Sequence, residues 1–350
     1  MTPPLPDTPR PIVLIGAGGI VRDAHLPAYQ KAGFPVVGIY DLDEEKARAL
    51  AAQFAIQRVY SSLTELCRSA PADAVFDVAV PASALVDVLP ILPDRRGVLI
   101  QKPMGESLAD ARAIRAICHQ KELAAGVNFQ LRYAPFVLAA RDLIERGAIG
   151  EITDMEIRLS VYTPWHLWRF LENVANMEVY YHSIHYLDLM RAFLGNPQGV
   201  YAKVTNHPDA PKMDGTRSAM ILDYGSNLRA TISTNHFHRF GLDHQESILK
   251  WEGTKGAIKI TMGLLLNYPV GEADQFDFCL EDEQGQPRWQ RADIPGTWFP
   301  DAFVGPMASV MRRLDHAQAT IPTSVDDALE TMALVDAVCR SSRDGALPLV

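Results

Sequence analysis

The chain has 350 residues, 48% of them hydrophobic, with four cysteines and a formal net charge of -9. That length suits two domains or one large one. The negative balance argues against a nucleic-acid partner, which needs a basic face, and no apolar run reaches the roughly 18 residues of a membrane span.

Residues Met1–Arg10 are proline-rich and polar, lack the regions of a signal peptide, and read as a loose tail. An apolar run then enters a glycine-rich turn, Pro-Ile-Val-Leu-Ile-Gly-Ala-Gly-Gly-Ile-Val over Pro11–Val21. A helical pattern follows, and a second apolar run, Val36–Tyr40, ends in Asp41. Strand, glycines, helix, strand and acid in this order form the arrangement by which a Rossmann domain holds a dinucleotide. The glycines let the backbone approach a pyrophosphate, the helix N-terminus offers it unpaired N–H groups, and Asp41 can accept both hydroxyls of an adenosine ribose. Counted from Gly16 and Gly18, the third glycine position is Val21, so the first helix is expected to sit slightly further out.

Further strand-like runs fall at 73–80, 97–100 and 123–128, separated by helical patterns such as Asp43–Phe54 and Leu108–Lys121. Alternation of this kind predicts a doubly wound parallel sheet with right-handed crossovers. Its ligand lies beyond the carboxyl ends of the strands. The loops that matter are therefore Gly16–Val21, Asp41–Asp43, Pro81–Ser83, Gln101–Gly105 and Asn128–Tyr133.

After Phe129 the pattern changes. A helix (132–146), a strand (152–162) and a long helix (178–194) stopped by Gly195-Asn196-Pro197 precede strand-like runs at 199–206, 216–224, 227–237, 245–251 and 256–262. Tyr224-Gly225-Ser226-Asn227 reads as a hairpin turn. Strands joined by turns predict an α+β domain with a large open, mostly antiparallel sheet. Helices over 301–316 and 325–341 close the chain. The expected domains are 1–128 and 129–350, with a closing helix near 324–342. Cys67, Cys118, Cys279 and Cys339 are far apart and form no Cys-x-x-Cys pair, which suits reduced thiols of a cytoplasmic protein.

The Gln101-Lys102-Pro103 loop, followed by Gly105-Glu106-Ser107-Leu108, resembles the Glu-Lys-Pro loop of the glucose–fructose oxidoreductase/inositol dehydrogenase/MocA (Gfo/Idh/MocA) family. Leu143–Ile152, His185-Tyr186-Leu187-Asp188-Leu189 with Phe193-Leu194-Gly195, Trp251–Gly256 and Thr323–Ser342 resemble four further family segments in the same order. The resemblance implies an N-terminal Rossmann domain, a C-terminal sheet domain, and assembly into homodimers or homotetramers through that sheet. It also implies an NAD(P)-dependent oxidoreductase acting on a sugar, polyol or sugar derivative. Two alternatives stand beside this one: a hydrolase or lyase acting through transient oxidation by bound NAD, and a non-catalytic dinucleotide-binding protein.

Hydride transfer needs a proton acceptor and a group that steadies the carbinol oxygen. Lys102, at a strand's carboxyl end, is the first candidate, with Gln101 where the family has Glu. His185 corresponds to the family's helix histidine. The acid expected four residues before it is Tyr181, which can relay a proton or donate a hydrogen bond but holds no charge at neutral pH. Glu178, His182, His185 and Asp188 are spaced by three or four and share a helical face, so Glu178 or His182 can take over the missing acid's role. That spacing would also suit a metal, but the resemblance accounts for it without one, and none is expected. Cofactor candidates are Gly16, Gly18, Gly19, Ile20, Asp41, Val80, Pro81, Gln101, Lys102 and Asn128. Substrate candidates are Trp165, Arg169, Glu178, Asp188, His236 and His238. Asp41-Leu42-Asp43 offers no Arg or Ser to a 2′-phosphate, so NAD is expected rather than NADP.

Overall fold

The structure is a computed structural model that describes residues 2–172, 174–282 and 284–345. Met1, where the expected tail begins, and residues 346–350, at the end of the expected second domain, lie outside the described residues. The chain divides into two compact units: residues 2–134 with 299–332, and residues 135–298 with 333 onward. The expected break at 128/129 lies a few residues before the first change of unit, and the segment 299–332 groups with the first.

The first unit is built on six parallel strands: β1 (Ile12–Ile15), β2 (Val36–Tyr40), β3 (Arg58–Val59), β4 (Val75–Val78), β5 (Gly97–Ile100) and β6 (Ala124–Val127). Their order is β3-β2-β1-β4-β5-β6, the doubly wound Rossmann order. Strands β1, β4 and β5 are buried throughout, as unbroken apolar runs require when helices cover both sheet faces. The helices start where the sequence supplies caps. Asp43, Ser62 and Ser107 each accept a backbone N–H three residues on.

The segment 299–332 belongs here because β5 and β6 carry glycines that admit it. A Cβ on Gly97 would lie 2.7 Å from Leu314 Cδ1, and one on Gly126 would lie 2.9 Å from Ile321 Cγ2. The Val127 N–H donates to Thr323 O at 2.7 Å. The helix Val304–Asp315 thereby completes the hydrophobic core around β1, β4 and β5.

The second unit carries eight strands: β7 (Ile152–Ser160), β8 (Gly199–Thr205), β9 (Arg217–Asp223), β10 (Arg229–Asn235), β11 (Glu246–Gly253), β12 (Gly256–Thr261), β13 (Gln275–Glu281) and β14 (Pro287–Ala292). Their order is β14-β13-β12-β11-β7-β10-β9-β8, antiparallel except where β10 runs parallel to β7. Residues 224–227 turn β9 back onto β10, as expected. One sheet face is buried. Trp251 lies fully inside and packs on Phe193 of the helix Ile184–Leu194, with ring centroids 5.0 Å apart. The helix Val325–Asp344 protects the β8 edge, because Ser341 Oγ and Ser342 Oγ accept the Ala202 and Val204 N–H groups at 2.9 Å. An edge with bonded N–H groups is a poor template for another strand.

Candidate active site

In the first unit, Gly16 leaves β1 at φ +111°, and a Cβ there would stand 2.3 Å from Ala79 O, in the loop that leads to Val80 and Pro81. The first and fourth strands thus bring their carboxyl-end loops into direct contact. Gly18 has no such need: a Cβ would meet nothing within 4 Å. Gly18 and Gly19 are exposed and Ile20 is half-buried. A glycine that the protein's own packing does not demand is what a loop needs to admit a phosphate. Val21 is buried in the core, and the helix opens with a π-turn over Val21–His25. The side chain at the third glycine position is thus packed inside, at the start of a wider turn.

Asp41 closes this cradle. Its Oδ2 accepts the Ala17 N–H at 2.6 Å and its Oδ1 accepts the Asp43 N–H at 2.8 Å. Each oxygen has a further lone pair for a ribose hydroxyl. These residues fit a nicotinamide dinucleotide: the backbone near Gly18 for its pyrophosphate and Asp41 for its adenosine ribose.

At the end of β5, the Gln101 amide turns back and accepts the Lys102 N–H at 2.9 Å. Burial pushes the half-buried Lys102 ammonium down from 10.5 to about 7. Asn128, at the end of β6, is fully buried and donates from Nδ2 to His25 Nε2 at 3.2 Å. His25 Nδ1 meets Asp77 Oδ2 at 2.7 Å, and the Tyr29 hydroxyl donates to that same oxygen at 2.8 Å. His25, Tyr29 and Asp77 were missed from sequence. The legible signal was Asp77 itself, a carboxylate inside the apolar run Ala74-Val75-Phe76-Asp77-Val78.

In the second unit, the expected long helix 178–194 begins as a π-turn, Val179–Ser183, before Ile184–Leu194. The extra residue in that turn changes the register between Glu178 and the residues after it, whereas His185 and Asp188 keep their spacing of three within the regular helix. Glu178 is 0% exposed, Asp188 1% and His236 0%. These three side chains are almost fully buried. Tyr181 and His182 are half-buried. His185 is buried and meets Trp298 edge-on, with ring centroids 5.9 Å apart. Trp298 carried no motif in the sequence. Trp165 packs against His182 and His236, at 5.0 and 5.3 Å between ring centroids. Arg169 is exposed, and His238 stands apart from that ring cluster, beside Phe240.

Residues 10–129 match the oxidoreductase family with an NAD-binding Rossmann fold, and residues 137–259 match the GFO/IDH/MocA C-terminal domain. The chain belongs to the Gfo/Idh/MocA family of oxidoreductases. Among Gfo/Idh/MocA relatives, it is 25% identical over 345 residues to a D-apiose dehydrogenase of Paraburkholderia graminis, covering 95% of this chain and 87% of that one. It is 26% identical over 261 residues to a 1,5-anhydro-D-fructose reductase of Ensifer adhaerens, covering 74% and 77%. Its fold matches an oxidoreductase from Agrobacterium radiobacter solved with NAD+, L-tartaric acid and magnesium, at TM-score 0.80, 21% identity and coverage of 97% and 98%. It also matches a levoglucosan dehydrogenase solved with NADH and levoglucosan, at TM-score 0.79, 16% identity and coverage of 96% and 98%.

Proposed function

We propose that this family member moves a hydride between nicotinamide and the carbinol carbon of a sugar, polyol or sugar derivative, with NAD as its working cofactor. The observation that carries the reading is Lys102: a lysine two strands from the glycine loop in sheet order, at a carboxyl end, with its ammonium held near neutrality. As an ammonium it can bind the substrate oxygen, and as an amine it can accept the hydroxyl proton. The bound nicotinamide supplies the hydride acceptor or donor. Asp41 and the loop of Gly16, Gly18, Gly19 and Ile20 hold the adenosine end, with Val80, Pro81, Gln101 and Asn128 on neighbouring strand ends. His182 and His185 are the second unit's candidates for handling the proton, with Tyr181 as a hydroxyl donor beside them. Of the substrate candidates, Arg169 and His238 are the more exposed, and Trp165, Glu178, Asp188 and His236 are buried. The D-apiose and 1,5-anhydro-D-fructose enzymes among the relatives support a carbohydrate substrate. The test is NADH formation against a panel of sugars, polyols and sugar acids. No turnover with any of them, despite NAD binding, overturns the reading.

Asp41 supports NAD over NADP. A carboxylate at this strand end suits a ribose hydroxyl and repels a 2′-phosphate, Leu42 beside it is 94% exposed, and the Lys46 ammonium at the same loop is paired with Asp43. Asp41→Ser is expected to raise KM for NAD by about ten-fold, the worth of one charge-assisted hydrogen bond, and to lower KM for NADP. An unchanged ratio of the two kcat/KM values would refute this role.

Assembly through the open sheet face is part of the same reading. It is supported by Tyr201 and Ile221, paired in register and 66% and 53% exposed. A cytoplasmic setting is supported by the four cysteines, all free. No helix among the described residues is long and apolar enough to cross a membrane.

A further inference from the structure

Where the family's acid is expected, Tyr181 packs its ring on Phe170, with centroids 5.9 Å apart, at the margin of an apolar cluster that includes Trp165, Leu171 and Met213. A carboxylate at 181 would face those apolar groups. The nearest acid along the helix, Glu178, is buried instead. Its Oε1 accepts the Ser183 hydroxyl at 2.6 Å and lies 3.6 Å from His236 Nε2, while its Oε2 has no hydrogen-bond partner. Among the described residues, no lysine or arginine forms an ion pair with Glu178. The neighbouring Tyr186 and Cys339 bring no positive charge: burial, then anionic neighbours, push the Tyr186 phenol up and the Cys339 thiol up to about 12. Imidazole is therefore the group that answers this carboxylate.

His236 is fixed from its other side. Its Nδ1 lies 2.8 Å from Thr163 Oγ1, and the Thr163 N–H donates to the His236 carbonyl at 3.0 Å. With the Thr163 hydroxyl as donor to Nδ1, the proton sits on Nε2, which lies 3.6 Å from Glu178 Oε1 and has no hydrogen-bond partner of its own. The His236 ring in turn meets the half-buried His182 ring edge-on, with centroids 4.5 Å apart and planes at 68°. Trp165 closes on both rings. A buried polar atom that lacks a partner costs stability, and Glu178 Oε2 is such an atom.

We propose that Glu178, His236 and Thr163 are positioning residues that orient His182, so that the acid absent at position 181 is replaced by a carboxylate acting from one layer deeper. The proposal rests on the reading of this helix as part of the hydride-transfer site. The chain of contacts runs Glu178 to His236 to His182, and only the last of these reaches the surface.

Glu178→Gln keeps an acceptor for Ser183 and removes the charge. It is expected to lower kcat by about 100-fold, as small misplacements of reacting groups do, with the KM values for substrate and NAD and the Tm little changed. Thr163→Val should lower kcat in the same direction, and Thr163→Ser should restore it. A fall in Tm with kcat retained would mean a structural role only and would overturn the proposal. A second readout needs no turnover. Long-range 1H–15N spectra of labelled protein should show the His182 imidazole signals moving in Glu178→Gln, and unmoved signals overturn the coupling whatever the enzyme's substrate. If the wild-type protein oxidises nothing in the panel, the functional reading fails, and these spectra still decide the contact chain.

Discussion

Lys102→Ala is expected to lower kcat by about three orders of magnitude, the scale of a lost general acid–base group, while the dissociation constant of NAD+ changes by no more than about two-fold. The residue stands at the end of β5, two strands from the glycine loop in sheet order, and takes no part in the Asp41–Ala17 bond, so its removal should leave the adenosine end of the cradle intact. The sign of the pH dependence follows from burial, which lowers the ammonium from 10.5 to about 7. In the direction of alcohol oxidation a proton acceptor is required, so kcat/KM should rise through about pH 7 and then level. In the direction of carbonyl reduction the ammonium is the donor, so the rate should fall over the same range. The unfolded chain binds this proton up to about pH 10, so the cost of burying it is largest below 7 and fades towards 10. Lys102→Met should therefore raise Tm most at pH 6. Stopped-flow rates and thermal melts across pH 5.5–9 check both. Near-normal turnover in Lys102→Ala, or an inflection near 7 that survives it, would remove Lys102 from the chemistry.

The second large effect is at the glycines, where two substitutions separate what the fold needs from what a ligand needs. Gly16→Ala places a Cβ 2.3 Å from Ala79 O at φ +111°, a backbone strain of about 1–3 kcal/mol before the clash is counted. Loss of both NAD binding and several degrees of Tm is expected. Gly18→Ala meets nothing within 4 Å in the protein, so its Tm should stay at the wild-type value. NAD affinity should nevertheless fall, because the added methyl occupies the approach of the pyrophosphate. Calorimetric titration with NAD+ and NADH distinguishes the two. Undiminished affinity in Gly18→Ala would place the dinucleotide elsewhere.

Much of the first unit was legible because its signals are local. Buried strands such as Ile12–Ile15 and Val75–Val78 are continuous apolar runs, and caps such as Ser107 lie beside the helices they start. The second unit was legible only where burial imposes alternation. Strand β14 is exposed at nearly every position, Pro-Arg-Trp-Gln-Arg-Ala, so no hydrophobic period marks it, and β13 beside it was missed with it. Strand β3 has only two residues. In the candidate site, Lys102 and Asp41 were readable because each follows an apolar run. The depth of Glu178 and Asp188 was not readable, because spacing gives a helix face and not its burial, and the π-turn after Glu178 is invisible to a spacing argument. His25 in the first unit, and Thr163 and Trp298 in the second, reach their neighbours by tertiary packing alone, and no sequence pattern announces them.

The segment 299–332 has a consequence for how the protein can be divided. The backbone passes from one unit to the other at 134/135, 298/299 and 332/333, so neither half is encoded by one uninterrupted stretch of gene. A fragment ending at residue 134 would leave the glycine surfaces of β5 and β6 bare, with Leu314 and Ile321 missing from above Gly97 and Gly126. Such a piece should be insoluble alone and recover its solubility when residues 299–332 are fused to it. Exchange of nucleotide preference between relatives by domain shuffling would accordingly have to move two separate blocks together.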